Sequence, residues 1–142
     1  MSLRMRILAV DYGSKRIGLA LSDETHTIAS PIGYISARPL DKVMDELKKI
    51  SATHKVGLII IGLPLNMDGT EGPAAVEVRE FAALVEKTIS IPVKLIDERL
   101  TTVAAEKLLI EGRLRREKRK LKRDAIAASI LLQGYLDTAQ PD

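Results

Sequence analysis

Residues 5–22, MRILAVDYGSKRIGLALS, constrain most strongly what this chain can fold into. The apolar run 7–10 is typical of a strand buried on both faces, residues 12–16 turn the chain, and residues 17–21 run back as a second strand. Asp11 closes the first strand, where a charge is costly unless it is paired, solvated or bound to a metal. We therefore interpret Asp11 as the fixed point of an active site. The alternative is an aspartate that only supports the turn.

Composition narrows the chemistry. The 142 residues fit a single domain, 1–142, and the 46% of hydrophobic residues indicates a globular chain. Aromatic residues make up only 3%, which argues against base stacking as a mode of nucleic-acid binding. There is no cysteine, and His26 and His54 lie far apart. Disulfides, thiolate zinc sites and cysteine nucleophiles are thereby excluded, so any metal would be a hard cation bound by oxygen.

Hydropathy predicts the cellular compartment. No apolar run reaches the roughly 18 residues that a membrane helix needs, and no signal-peptide pattern is present. We therefore expect a cytoplasmic protein with no membrane partner.

Positive charge is concentrated in one segment. The formal net charge is +3, but residues 113–123 hold eight Lys and Arg and one Glu, a net charge of +7 that leaves −4 for the rest of the chain. Such a segment indicates a polyanionic partner. The alternative is a solvated helix face, although such faces usually mix both signs.

Apolar periodicity and turn residues predict three strands, a helix, a strand, a helix, a strand and two helices. The predicted strands are 6–10, 17–21, 27–34, 56–62 and 91–96, and the predicted helices start at Pro39, at Pro73 and at Thr101 or Thr102 (ending at Glu111), with the last at 123–139. This order predicts a five-stranded mixed sheet, a three-strand meander followed by right-handed crossovers, with helices on both faces. Pro31 predicts an edge or a bulge in the third strand.

Acidic side chains follow two of the predicted strands and open the last helix. Asp11 ends the first strand and the pair Asp97 and Glu98 ends the fifth, which is where functional residues gather in α/β sheets. Asp124 lies one turn before Ala127 and Ala128, which we place on the inward stripe of the last helix. The alternative interpretation of Asp124 is an acid favoured by the helix dipole.

Three carboxylates without histidine or cysteine favour binding of a hard divalent cation and phosphoryl chemistry. A glycosidase usually brings aromatic sugar platforms, and this chain has no Trp. A Ser-His-Asp triad is disfavoured because neither histidine lies near a nucleophile elbow.

Strand alternation places Asp97 and Glu98 on opposite faces of the fifth strand. Asp97 follows the face of Val93 and Leu95, which we expect to be buried, so we select Glu98 as the metal ligand and keep Asp97 as the alternative.

Two glycine-containing segments are candidate phosphate contacts. Residues 13–18 do not form a P-loop, because no GK[ST] opens a helix, but as a turn they would present Lys15 and Arg16 to a phosphate backbone. The loop 63–72, which contains Asn66, precedes a helix N-terminus. It is either an anion site or a connection only.

Four segments together carry a family resemblance: AVDYGSKRIGLALSD, GLPLNMDGTEG, LIDERLTT and KLKRDAIAASILLQGYL. In that order they resemble the YqgF (RuvX) family, a bacterial branch of the RNase H-like, RuvC-like nucleases, over residues 5–136. The resemblance implies an RNase H-like fold and a cytoplasmic nuclease assigned to maturing the 5′ end of the small-subunit rRNA precursor. Some members are credited with Holliday-junction resolution. By motif, the catalytic acids would be Asp11, the acid of the DER element, and Asp124.

From these observations we predict a metal-dependent endonuclease that acts on structured RNA with Mg²⁺ or Mn²⁺ held by Asp11, Glu98 and Asp124. Two alternatives stay open: cleavage of branched DNA at Holliday junctions, and a non-cleaving assembly factor of the pre-ribosomal particle. We expect a monomer or a weak homodimer. The predicted nucleic-acid contacts are Lys15, Arg16, Asn66, Arg99, Arg115, Arg116, Arg119 and Lys120.

Overall fold

Five strands form one mixed sheet in a computed structural model that describes residues 5–101 and 123–138, without the side chains of residues 100, 101, 123 and 124. The strands are β1 (Arg6–Tyr12), β2 (Arg16–Ser22), β3 (Ala29–Ser36), β4 (Val56–Leu63) and β5 (Val93–Asp97). Their spatial order is β3-β2-β1-β4-β5. The pairs β1/β2 and β2/β3 are antiparallel, and β1/β4 and β4/β5 are parallel. The predicted meander followed by parallel strands is therefore confirmed.

The helices cover the two faces of this sheet. They are α1 (Leu40–Thr53), α2 (Pro73–Ile89) and α3 (Arg123–Thr138), and a short 3-10 turn spans Glu98–Thr101. Side chains alternate along β1, so Leu8 and Val10 pack in the core under α1 and α2, whereas Ile7 and Ala9 pack in the core under α3. The sheet is thus buried on both faces, which explains the continuous apolar runs in β1 and β4.

Strand β3 starts two residues later than the sequence pattern predicts. The Oδ1 atom of Asp23 accepts hydrogen bonds from the amides of Thr27 (2.7 Å) and Ile28 (3.0 Å), which holds these two residues in the turn after β2. The strand lies at the sheet edge, and its register with β2 shifts opposite Pro31, so the predicted edge and bulge are both present.

The buried stripe of α3 differs in part from the predicted one. Ala128 is buried against the sheet as expected, and Leu131 is buried one turn after Ala127 and Ala128, but Ala127 is exposed, and Ala125 is buried in its place. The predicted helix from Thr101 or Thr102 to Glu111 lies outside the described residues.

None of the helices in the described ranges has the length and apolar character that crossing a membrane requires.

Candidate active site

Asp11 is the last α3-facing residue of β1. Ile7 and Ala9, two and four positions earlier, pack in the α3 core, so alternation places Asp11 on the same face. Asp11 is paired with Gly18 on β2, and the next residue, Tyr12, is paired with Ile17. Asp11 is half-buried. The carboxylate therefore stands at the carboxyl end of a central strand, on the side covered by α3.

Glu98 reaches the same face from β5. Val93 and Leu95 pack against the core of α1 and α2, whereas Ile96 packs against the core of α3. Asp97 therefore points to the α1/α2 side and Glu98, the next residue, to the α3 side. Burial, followed by the negative charges of Asp11 and Asp97, raises the pKa of the Glu98 carboxyl. The structure thus brings Asp11 and Glu98 together, the pairing that alternation predicts.

A glycine makes room for Glu98. Gly62 is paired with Ile96 across β4 and β5 and follows Ile60, which packs in the α3 core. A β-carbon on Gly62 would lie 2.8 Å from Cγ and 3.0 Å from Cδ of Glu98, closer than non-bonded carbons pack. Gly62 was not among the site residues predicted from the sequence. The signal was a glycine inside an otherwise continuous apolar strand, which often marks a close approach.

Asp97 has a different set of partners. Its carboxylate accepts two hydrogen bonds from Nε of Arg99 at 3.1 Å, one from Nη2 at 2.8 Å and one from the Arg99 amide at 2.9 Å. These contacts, the guanidinium first, lower the pKa of Asp97. Asp97 therefore holds Arg99 in place, on the face of the sheet opposite to Asp11.

Arg99, held by Asp97, also contacts the loop 64–72. Its Nη1 donates to the carbonyl of Met67 at 3.2 Å, and its guanidinium lies below 4 Å from the position of a β-carbon on Gly69, which has φ +88°. The same guanidinium contributes to a lowered pKa of Asp68, after the hydrogen bonds from Thr70. Arg99 therefore links the end of β5, directly beside Glu98, to the loop that precedes α2.

Asn66 contributes to the internal structure of this loop. Its backbone amide donates a hydrogen bond to the carbonyl of Thr70 (2.9 Å), and its side-chain Nδ2 donates to the hydroxyl of Thr70 (2.9 Å). The loop ends at Gly72, which caps α2 without a side-chain hydrogen bond, and Pro73 occupies the first helical position as predicted. Contact of Asn66 with nucleic acid stays a prediction.

Lys15 lies in the tight turn between β1 and β2, and Arg16 is the first residue of β2. A β-carbon on Gly13 would lie 2.5 Å from the Arg16 carbonyl oxygen, so only glycine fits there, and the carbonyl of Lys15 accepts a hydrogen bond from Ala37 (2.9 Å). Both basic side chains are exposed. The turn is next to Asp11, so both are near the candidate site.

The structure describes the remaining predicted residues only in part. The backbone of Asp124 lies in the first turn of α3, the helix that covers the Asp11 face, and its side chain lies outside the described part of the structure. Arg115, Arg116, Arg119 and Lys120 lie outside the described residues. Among the side chains that are described, no group of three acids or histidines is arranged to hold a metal ion. Among the described side chains, the candidate site therefore consists of Asp11 and Glu98.

The chemistry of this pair fits a divalent cation. Two carboxylates that share one half-buried face repel each other, which is one cause of the raised pKa of Glu98. A hard cation bound by oxygen would offset this repulsion, and carboxylates are the ligands that Mg²⁺ prefers in proteins.

A cavity lies on the opposite face of the sheet. Tyr12, Arg38, Glu77 and Phe81 are among the residues that line a cavity of about 370 Å³. The hydroxyl of Tyr12 donates to Oε2 of Glu77 at 3.0 Å, and Nη1 of Arg38 donates to that hydroxyl at 3.4 Å. This cavity has no contact with the carboxylate pair, because Tyr12 and Asp11 point to opposite faces of β1.

Comparison with solved structures defines the fold class. RuvC from T. thermophilus, in complex with a Holliday junction substrate, superposes with a TM-score of 0.62 at 13% identity, covering 94% of this chain and 95% of that one. The fowlpox virus Holliday junction resolvase superposes with a TM-score of 0.57 at 16% identity, covering 94% and 99%. At these identities the comparison shows the fold alone: the chain has the RNase H-like fold of the RuvC-type resolvases.

Sequence relatives then identify the family. The model of the RuvX family, described as Holliday junction resolvase, matches residues 5–138, and the chain belongs to this family. A relative from Clostridium kluyveri is 48% identical over 133 residues, covering 94% of this chain and 97% of its own, and another from Dictyoglomus thermophilum is 42% identical over 138 residues, covering 97% and 99%. Both carry the name "Putative pre-16S rRNA nuclease". The family resemblance read from the four sequence segments is confirmed.

Proposed function

We propose that this protein is a divalent-cation-dependent nuclease that hydrolyses phosphodiester bonds in the 5′-end maturation of pre-16S rRNA. The observation that carries the proposal is the pairing of Asp11 and Glu98 on the α3 face, where Gly62 leaves space for the Glu98 side chain. The names of the two relatives, which cover nearly the whole chain, supply the substrate class.

Asp11, Glu98 and Asp124 would hold Mg²⁺ or Mn²⁺. When bound, such a cation activates water and stabilises the charge that develops on the phosphate oxygens. The contribution of this chain is to fix the two carboxylates at the ends of β1 and β5, which are rigid because both strands belong to one paired sheet. Burial on the α3 side keeps the surrounding dielectric low, so the carboxylates attract a cation more strongly than they would in bulk water.

Basic side chains near the pair would position the phosphate backbone. Lys15, in the turn after β1, and Arg16, at the start of β2, are both exposed, and the segment with Arg115, Arg116, Arg119 and Lys120 precedes α3 in the chain. Arg99 has its nitrogens engaged by Asp97 and the Met67 carbonyl, which favours a supporting role in the loop over a direct phosphate contact.

A second candidate substrate is a four-way DNA junction. The description of the RuvX family and the junction complex of the RuvC structure both favour it. A non-cleaving role as an assembly factor of the pre-ribosomal particle is the third alternative, and a cytoplasmic site of action stays a prediction.

Cleavage assays on matched substrates separate these functions. Purified protein would be incubated with Mg²⁺ or Mn²⁺ and a 5′-extended 16S precursor RNA, a four-way DNA junction, or a linear DNA duplex. We expect cleavage of the RNA, its loss in the presence of EDTA, and its loss in the Asp11→Asn variant. Preferential cleavage of the junction would reassign the substrate. Tight binding of the RNA with no cleavage under any metal condition would overturn the nuclease proposal and favour the assembly factor.

A further inference from the structure

Tyr34 is the one exposed aromatic residue of the chain. The sequence contains three Tyr, one Phe and no Trp, and all four aromatic residues lie in the described part. Phe81 is buried, Tyr12 packs against it with ring centroids 4.4 Å apart, and Tyr135 packs against the α3 core. Tyr34 is 48% exposed. Because aromatic residues are so scarce here, an exposed one needs an explanation.

The position of Tyr34 relates it to the candidate active site. In the sheet register Asp11 is opposite Gly18, and Gly18 is opposite Tyr34. Directly opposed residues share a face of the sheet, so Tyr34 is on the Asp11 face, and its neighbour Ile35 packs on the other side against the core of α1 and α2. Two strand spacings separate the backbones of Asp11 and Tyr34 by about 10 Å. The ring therefore lies on the edge strand β3, two strands away from the Asp11 carboxylate and on the same face of the sheet.

A basic side chain accompanies the ring. The guanidinium carbon of Arg16 lies 5.3 Å from the centroid of the Tyr34 ring, within the range of a cation–π contact. Arg16 precedes Gly18 by two residues on β2 and so lies on the same face. An aromatic ring with a guanidinium over one face is a combination on which proteins stack an unpaired nucleobase.

We propose that Tyr34 and Arg16 form a stacking subsite for one unpaired nucleobase of the substrate, close to the phosphate that Asp11 and Glu98 would address. This inference rests on the proposed function, since it assigns a contact to the same nucleic acid. It revises at one position the expectation from composition that base stacking plays no part. A single-stranded or locally melted segment near the cleavage point would be recognised by this subsite, whereas a fully paired duplex would not.

The absence of tryptophan gives a direct assay. A Tyr34→Trp substitution introduces the only indole of the chain, and stacking of a base on it would quench its fluorescence. The matched control is Ile28→Trp, since Ile28 is also exposed (52%) but lies before β3, at the far end of the sheet from Asp11. Both variants would be prepared with Asp11→Asn to prevent cleavage and titrated with a single-stranded RNA of about 12 nucleotides.

The expected result has three parts. The emission of the Tyr34→Trp variant falls when RNA binds, while the emission of the Ile28→Trp variant does not. Tyr34→Ala weakens RNA binding by roughly 5- to 150-fold, the range for loss of one stacked base, and Tyr34→Phe restores binding to near the wild-type affinity. A fully paired RNA duplex of the same sequence leaves the emission of the Tyr34→Trp variant unchanged.

Other outcomes overturn the subsite in distinguishable ways. Undiminished emission of the Tyr34→Trp variant at saturating RNA, or wild-type affinity of Tyr34→Ala, would eliminate the stacking contact and leave the proposed nuclease function in place. If RNA quenches the emission of the Tyr34→Trp variant but the wild-type protein cleaves no nucleic acid, the stacking subsite would stand and the proposed nuclease function would be wrong. Absence of binding to any single-stranded RNA by all variants would overturn the subsite.

Discussion

The side chain of Glu98 occupies the space in which a β-carbon of residue 62 would stand. That β-carbon would lie 2.8 Å from Cγ of Glu98, so the position of this carboxylate depends on the missing side chain of Gly62. The clash in a Gly62→Ala variant would be with a side chain and not with the backbone, so Glu98 would move and the sheet would stay.

We therefore predict that Gly62→Ala lowers the cleavage rate by about 100-fold, the size of effect that a 1 Å misplacement produces. The free energy of unfolding should change by less than about 1 kcal/mol. The measurements are single-turnover cleavage and urea denaturation. Gly57→Ala is the control, because a β-carbon there would meet the Met5 side chain at the other end of β4 and would leave Glu98 alone. Equal loss of activity in both variants would show that β4 itself is disturbed.

The second prediction separates the two acids of the DER element. Glu98→Gln should abolish Mn²⁺ binding and cleavage, because Glu98 shares the face of Asp11. Asp97→Asn should retain Mn²⁺ binding and most of the cleavage activity, because Asp97 points to the other face and its loss weakens only the contact with Arg99. The measurement is Mn²⁺ titration by calorimetry together with cleavage. A dead Asp97→Asn variant beside an active Glu98→Gln variant would reverse the assignment.

These two acids illustrate what the sequence determines. Alternation along a strand is a local property with a period of two, so the opposite faces of Asp97 and Glu98 followed from the apolar pattern of Val93 and Leu95. The role of Gly62 did not follow, because it depends on the register between β4 and β5, which no local pattern encodes.

Two further differences have equally specific causes. A helical stripe is broad, and its phase depends on the orientation of the helix on the sheet, so Ala127 was expected inside and is exposed while Ala125 is buried. The start of β3 is displaced because one side chain, Asp23, withdraws Thr27 and Ile28 from strand pairing. The apolar pattern of the sequence cannot predict such a contact between a side chain and the backbone.

The third prediction is a pH dependence of stability. The pKa of Glu98 is raised in the folded state above 4.5, its ordinary value. Folding therefore favours the protonated carboxyl, and the free energy of unfolding falls as the pH rises from 4.5 through the pKa of the folded state. At neutral pH the charged Glu98 therefore destabilises the metal-free protein. Glu98→Gln should be more stable than the wild type at neutral pH in EDTA, and this advantage should disappear below pH 4.5. Urea denaturation across this range measures it; an advantage that persists in acid would exclude the charge as its cause.

The fourth prediction concerns the turn after β2. The hydroxyl of Thr25, then the amides of Ile28 and Thr27, lower the pKa of Asp23 to about 2 from 3.8. A lowered pKa contributes stability above pH 3.8 that is lost as the pH falls toward 2. Because Asp23 is close to solvent, we discount this contribution to about 1 kcal/mol. Asp23→Ala should lose that amount at neutral pH and keep full cleavage activity, and its difference from the wild type should shrink as the pH falls below 3.8, measured by urea denaturation.

The last prediction concerns the link from Arg99 to the loop 64–72. Arg99→Lys keeps the positive charge but loses the fork that holds both Asp97 and the carbonyl of Met67. Hydrogen exchange at the loop amides, including that of Gly69, should become several-fold faster, while exchange in the core of β4 should stay unchanged.

Arg79→Lys is the matched control. Arg79 pairs with Glu71 on the α2 side of the same loop, at a distance from the DER element. Cleavage should fall in Arg99→Lys and not in Arg79→Lys, because only Arg99 adjoins the residue that carries the second carboxylate. If Arg99→Lys instead lowers RNA affinity without any change in loop exchange, Arg99 contacts phosphate directly, and its contacts with Asp97 and Met67 must give way when the nucleic acid binds.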